Sequence, residues 1–133
     1  MKYAIQTTIE KPFEGTLALV REAIARSGFG TVSEINLEEK LQGDLGVSYP
    51  RYKILGACNP KFSYKAVQED DNVGLLLPCN VLVKEKNGST TEVSAVDPSA
   101  LMSITENAKI EAIAAEIKQI MQQIIRDVEA NAA

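Results

Sequence analysis

The sequence contains no histidine and no tryptophan. Without histidine the chain cannot build a Ser-His or Cys-His nucleophilic pair from its own residues, nor a histidine zinc site. Aromatic residues are few, three Phe and four Tyr, and the 14 basic residues form no run. A nucleic-acid partner is therefore not expected, because binding one takes a basic face and stacking aromatics. No apolar stretch approaches the roughly 18 residues of a membrane helix, so no membrane partner is expected. The N-terminal segment from Met1 to Glu10 holds no apolar run long enough for a secretory signal, and the cytoplasm is the expected location. Neither Gly28-Phe29-Gly30 nor Gly43-Asp44-Leu45-Gly46 has the spacing of a phosphate loop. Cysteine is limited to Cys58 and Cys79, which in the cytoplasm stay mostly reduced unless they serve a redox or metal site.

What is present is ordinary for a globular protein. The chain has 133 residues, 45% hydrophobic and 24% charged, with a net charge of −4. That length fits one domain, 1–133, able to bury a core without covalent staples. No repeat, low-complexity segment or linker divides it.

Tyr3, Ile5, Thr7 and Ile9 alternate as a strand does. Phe13, Leu17, Val20 and Ile24 then form one helical stripe, which predicts a helix over 12–27 with Pro12 in its first turn and Gly28 just past its end. Thr31 to Ile35 reads as a second strand. Asn36 and Glu39 have capping-box spacing, ahead of a short helix through Leu37, Leu41 and Leu45 that Gly46 ends. Tyr52 to Cys58 reads as an apolar strand, followed by Asn59-Pro60 and a helix to Gln68 with Phe62 and Ala66 inward. Asp70-Asp71-Asn72 reads as a turn. The apolar stretch Val73 to Glu85 is interrupted at Pro78, which marks a bulge, a bend or an edge. Asn87-Gly88 is a type I′ hairpin signal between Val81-Leu82-Val83 and Thr91-Glu92-Val93. Asp97-Pro98 caps a turn of helix through Met102.

The last third is the most regular. Ser103 and Glu106 have capping-box spacing, and Ile110, Ile113, Ile117, Ile120, Ile124 and Val128 recur every three or four residues. A helix over 104–130 is about 40 Å long, against about 35 Å for the diameter of a domain this size. Such a helix spans the molecule, and its broad stripe is more than one thin sheet covers, which predicts a homodimer. The element string, with strands clustered around a hairpin and helices outside, predicts α+β with a mainly antiparallel sheet.

Three segments resemble the signature of the bacterial family called domain of unknown function 302. They are Tyr52-Lys53-Ile54-Leu55-Gly56-Ala57-Cys58-Asn59-Pro60, then Gly74-Leu75-Leu76-Leu77-Pro78-Cys79-Asn80-Val81, then Val93-Ser94-Ala95-Val96-Asp97-Pro98 followed by Met102. Order and spacing also match, over nearly the whole chain. The resemblance implies a TATA-binding-protein-like β-α-β(4)-α fold, in which a curved antiparallel sheet holds an N-terminal helix and a long C-terminal helix. It also implies a dimer. It carries no established reaction, so no catalytic residue follows from it. The architectural analogy does not license DNA binding.

Within the signature, Cys58 and Cys79 invite several roles if their strands are adjacent. They can form a disulfide, worth about 3 kcal/mol for a loop of this size. They can bind a soft metal as two thiolates, joined by two more from a dimer partner, or act as a thiol redox pair. The plain alternative is that they pack, as buried cysteines commonly do. Asn59, Asn80 and Asp97 stand at strand ends or bends, where they either line a pocket mouth or serve as caps. Lys53, after Arg51 and Tyr52, reads as part of a solvated strand face or an anion contact. Glu38-Glu39 and Glu69-Asp70-Asp71 read as solvated surface; a glycosidase pair needs carboxyls opposed across a cleft.

The expected function is a non-enzymatic, dimeric module that binds a small molecule or acts as an accessory protein. Cys58, Asn59, Cys79, Asn80 and Asp97 are the candidate ligand-binding residues, and no cofactor is identified. The alternative is a thiol redox or soft-metal-binding protein using Cys58 and Cys79.

Overall fold

The computed structural model describes residues 2–133. The elements run β1 (Ala4–Ile9), α1 (Phe13–Arg26), β2 (Gly30–Asn36), α2 (Leu37–Leu45), β3 (Tyr52–Cys58), α3 (Pro60–Glu69), β4 (Cys79–Asn87), β5 (Thr90–Val96), α4 (Pro98–Met102) and α5 (Ala108–Ala132), with 3₁₀ turns at Asp71–Leu76 and Ser103–Thr105. The strands form one open sheet in the order β1-β5-β4-β3-β2. Every neighbouring pair is antiparallel, so the α+β expectation holds. Among the described residues no helix is long and apolar enough to cross a membrane.

The core lies on one face of that sheet. Leu55, Val81, Val83 and Val93 project from β3, β4 and β5 and are fully buried. Phe13, Leu17, Val20 and Ile24 of α1 meet them, together with Ile117, Met121, Ile124 and Val128 of α5. The stripe expected for α1 is thus the one that packs. A second cluster, formed by Ala66, Val73, Met102, Ile110 and Ala114, sits under the N-terminal half of α5. At 1.5 Å per residue, 25 residues make α5 about 37 Å long. Most of its stripe is buried within its own chain, with Ile113 and Ile120 partly buried, so helix length alone gives no motive for a dimer.

Several local expectations are corrected. The helix α5 starts at Ala108 because Asn107 accepts from the N–H groups of Lys109 (3.0 Å) and Ile110 (3.2 Å). Glu106 has φ 52, a left-handed conformation that no N3 residue of a helix can hold, so Ser103 and Glu106 do not form a capping box. Asn36 does not cap α2; its side-chain N–H donates to the Glu39 carboxylate at 3.2 Å. The apolar run from Val73 divides: Asp70 accepts from the Asn72 N–H at 2.9 Å and launches a 3₁₀ turn, and β4 begins only after Pro78. The hairpin forms, but Asn87 pairs with Thr90 after a bulge at Lys86. Its loop is therefore Gly88-Ser89, held by the Ser89 N–H donating to Asn87 at 2.9 Å. Gly88 stays out of the left-handed region, so the turn is not type I′.

The other face of the sheet carries a row that crosses all five strands. Gln6 pairs with Ser94, Ser94 with Leu82, Leu82 with Ile54, and Ile54 with Ile35. A second row runs Thr8, Glu92, Lys84 and Tyr52. Ile54 and Leu82 remain partly in water, and Ile35 is 42% exposed.

Candidate functional site

Antiparallel pairing brings the three motif segments to one end of the three central strands. The end of β3, the start of β4 and the end of β5 lie side by side, with Ala57 opposite Cys79. Two short helices leave from this end, and each begins with a cap followed by proline. Asn59 accepts from the Lys61 N–H at 3.0 Å ahead of Pro60. Asp97 accepts from the Ser99 N–H at 2.9 Å and the Ala100 N–H at 3.3 Å ahead of Pro98. The capping roles expected for Asn59 and Asp97 are what the structure holds.

Cys58, Asn59 and Cys79 come together around one small, partly open cavity of about 10 Å³, also lined by Ser63, Phe62 and Met102. That space suits about one water molecule. One helical turn into α3, Ser63 brings its hydroxyl to 3.0 Å from the Cys58 sulfur. Asn59 also donates its side-chain N–H to the Gly28 carbonyl at 3.3 Å, which ties the cavity rim to the end of α1. The rings of Phe29 and Phe62 stack at 6.0 Å over the same place. Cys58 is half-buried and Cys79 buried, and both are free thiols. Burial, and secondarily the charge of Cys58, pushes the Cys79 thiol up to about 11. At neutral pH Cys79 is protonated and a poor nucleophile. Among the described residues no group of three or more His, Cys, Asp or Glu gathers to hold a metal.

The other two candidates lie elsewhere. Asn80 is exposed on the opposite face of the sheet, where it borders a shallow, mostly apolar depression of about 200 Å³ with Tyr3, Leu82, Ser94 and Val96. Beside it Gln6 donates its side-chain N–H to the Ser94 hydroxyl at 2.9 Å. Asp97 is used by its two cap bonds and by the Lys118 ammonium 3.1 Å away, which pins α4 to α5.

Two charged residues depart from the surface expected of them. Lys53 lies on the helix-covered face, 9% exposed, with its ammonium 3.3 Å from Glu34. Arg21 of α1 grips the same carboxylate through two bonds, of 3.0 and 2.6 Å. The guanidinium hydrogen bond, with a smaller contribution from Lys53, holds the Glu34 carboxyl below the usual range. Glu38 accepts from the Tyr52 N–H at 3.1 Å, so it fastens α2 to β3 rather than standing free. Met102 and Ser63 complete the thiol cavity without having been singled out; Met102 closes the third motif, which was the available signal.

The sequence matches the domain of unknown function DUF302 over residues 5–128. The chain belongs to the DUF302 family. Its fold is similar to the crystal structure of an uncharacterized conserved DUF302 protein from Bacillus stearothermophilus, with a TM-score of 0.87 and 25% sequence identity over 96% of this chain and 98% of that one. No curated protein matches. Membership of DUF302 accounts for the fold and for the three motifs, and assigns no reaction to them.

Proposed function

We propose that the chain is a non-enzymatic, homodimeric binding module whose working surface is the open face of its sheet. The observation that carries this is the row Gln6, Ser94, Leu82, Ile54 and Ile35, in which Ser94 is buried and bonded to Gln6 while the apolar Leu82, Ile54 and Ile35 stay partly in water. A second copy is the occupant that fits it, because the patch is self-complementary. The Lys84 ammonium and Glu92 carboxylate lie 2.5 Å apart on that face, so a two-fold partner offers each charge its opposite.

Ligand binding follows from the same packing. One depression of about 200 Å³ is smaller than most small-molecule sites. Two of them, joined by face-to-face association, enclose about 400 Å³, within the range of such sites. Asn80 and the Tyr3 hydroxyl supply polar contacts, and Leu82 and Val96 the apolar wall. The ligand class is a small, largely apolar molecule with one or two hydrogen-bonding groups.

The thiol cavity offers no support for a redox role, since burial keeps the free Cys79 thiol protonated at neutral pH. The test is a light-scattering mass at micromolar concentration. Two chains are expected for the natural sequence and one for Leu82→Glu; a single chain for the natural sequence refutes the proposal.

A further inference from the structure

The cavity at the strand ends is lined by sulfur-bearing residues from three elements. Cys58 comes from the end of β3, Cys79 from the start of β4 and Met102 from the end of α4, and all three line the same small cavity. From this convergence we propose that the cavity is a binding site for one soft, low-coordinate metal ion of the cuprous class, held by Cys58 and Cys79 with Met102 as the weak third ligand.

Three observations select that class of ion. The donor set is two thiols and a thioether, and soft ligands of this kind select Cu(I) over harder ions. A tetrahedral zinc site wants four N, S or O donors, and among the described residues no third His, Cys, Asp or Glu joins the pair. The space of about 10 Å³ admits a single ion stripped of its water. Access comes through Cys58, which is half-buried and whose neighbour Ser63 keeps a hydroxyl 3.0 Å from the sulfur. Cys79 and Met102, 2% and 0% exposed, close the inner side.

Binding moves no electrons. Two Cu–thiolate bonds form as two S–H bonds break heterolytically, Met102 adds a dative Cu–S bond without losing a proton, and the two protons pass to solvent. The copper stays in its reduced state throughout. The site lies at the far side of β4 from the open-face row, so it does not depend on dimer formation, and its failure would leave the proposed function standing.

The test is an anaerobic titration of the reduced full-length chain with Cu(I) against a chromogenic cuprous chelator. One copper retained per chain is expected, with sulfur-only coordination in the X-ray absorption spectrum. Cys58→Ser should weaken retention at least about tenfold, and Met102→Leu should weaken it with the fold intact. Cys58 is the informative cysteine variant because its partial exposure leaves the core undisturbed; circular dichroism confirms that each variant is folded. No copper held against the chelator, equal retention by folded Cys58→Ser, or equal retention of Zn(II) overturns the proposal.

Discussion

Gly56 is the position where the sheet leaves no room for a side chain, and Gly56→Ala tests how the motif end of the sheet is closed. A Cβ built there would stand 2.6 Å from Cγ of Pro78 and would collide with the Ser33 hydroxyl. Ser33 is exposed and can rotate away at little cost. Pro78 cannot, because its ring is fixed to its own backbone. Overpacking against a rigid neighbour costs about 2–3 kcal/mol. Replacing glycine in a strand returns about 0.5–1 kcal/mol of backbone entropy. The net loss is about 1–2.5 kcal/mol, or about 4–12 °C in Tm for a domain of this size. The assay is a thermal melt by circular dichroism with a urea midpoint alongside. A double-mutant cycle locates the clash: with Pro78→Ala as background, most of the loss should vanish, whereas with Ser33→Ala most should remain. Stability equal to or above that of the natural sequence in Gly56→Ala would refute the packing described here.

Three further outcomes follow from other parts of the molecule. Cys79 has a folded pKa raised from 9.0 to about 11, so the fold holds its proton more tightly than the unfolded chain does. That contribution, about 2–3 kcal/mol, is complete below pH 9 and is lost between pH 9 and 11. Urea titrations across that window should therefore fall more steeply for the natural sequence than for Cys79→Ala, and parallel curves would contradict this. Asn107→Ala removes the cap of α5 and should lower stability by about 1 kcal/mol, whereas Ser103→Ala, at the sequence-expected cap, should change it by far less. Glu34→Gln leaves Lys53 buried beside a neutral amide and should cost about 2–3 kcal/mol. Lys53→Met should be near neutral or stabilising, because it removes a buried charge together with its desolvation; equal losses in both, read by chemical denaturation, would contradict the assignment.

Much of this fold is legible in the residues, and the reasons are local. Asn59-Pro60 and Asp97-Pro98 announce helix starts because each supplies both an acceptor and a pre-set φ, and both are caps in the structure. The period of three and four from Ile110 to Val128 places α5 on the core correctly, because periodicity is a property of the whole segment. Its start is misplaced by periodicity alone, since the left-handed φ at Glu106 and the cap bonds of Asn107 leave no trace in the apolar repeat. The run from Val73 to Leu77 shows the same limit: an apolar stretch reports burial but not backbone geometry. Lys53 reads as a surface residue because its partner Glu34 is 19 positions away and Arg21 is on another element. For the candidate site, the motif cysteines were identifiable, but their shared cavity depends on the β3–β4 register. That register also sends Asn80 to the opposite face, a one-residue consequence of the strand period.

If two open sheet faces meet and enclose a ligand, a native mass spectrum of the protein as purified will show it. The expected result is a two-chain mass carrying extra mass from a small molecule, and a single bare chain for Leu82→Glu. A bare single chain for the natural sequence would contradict it.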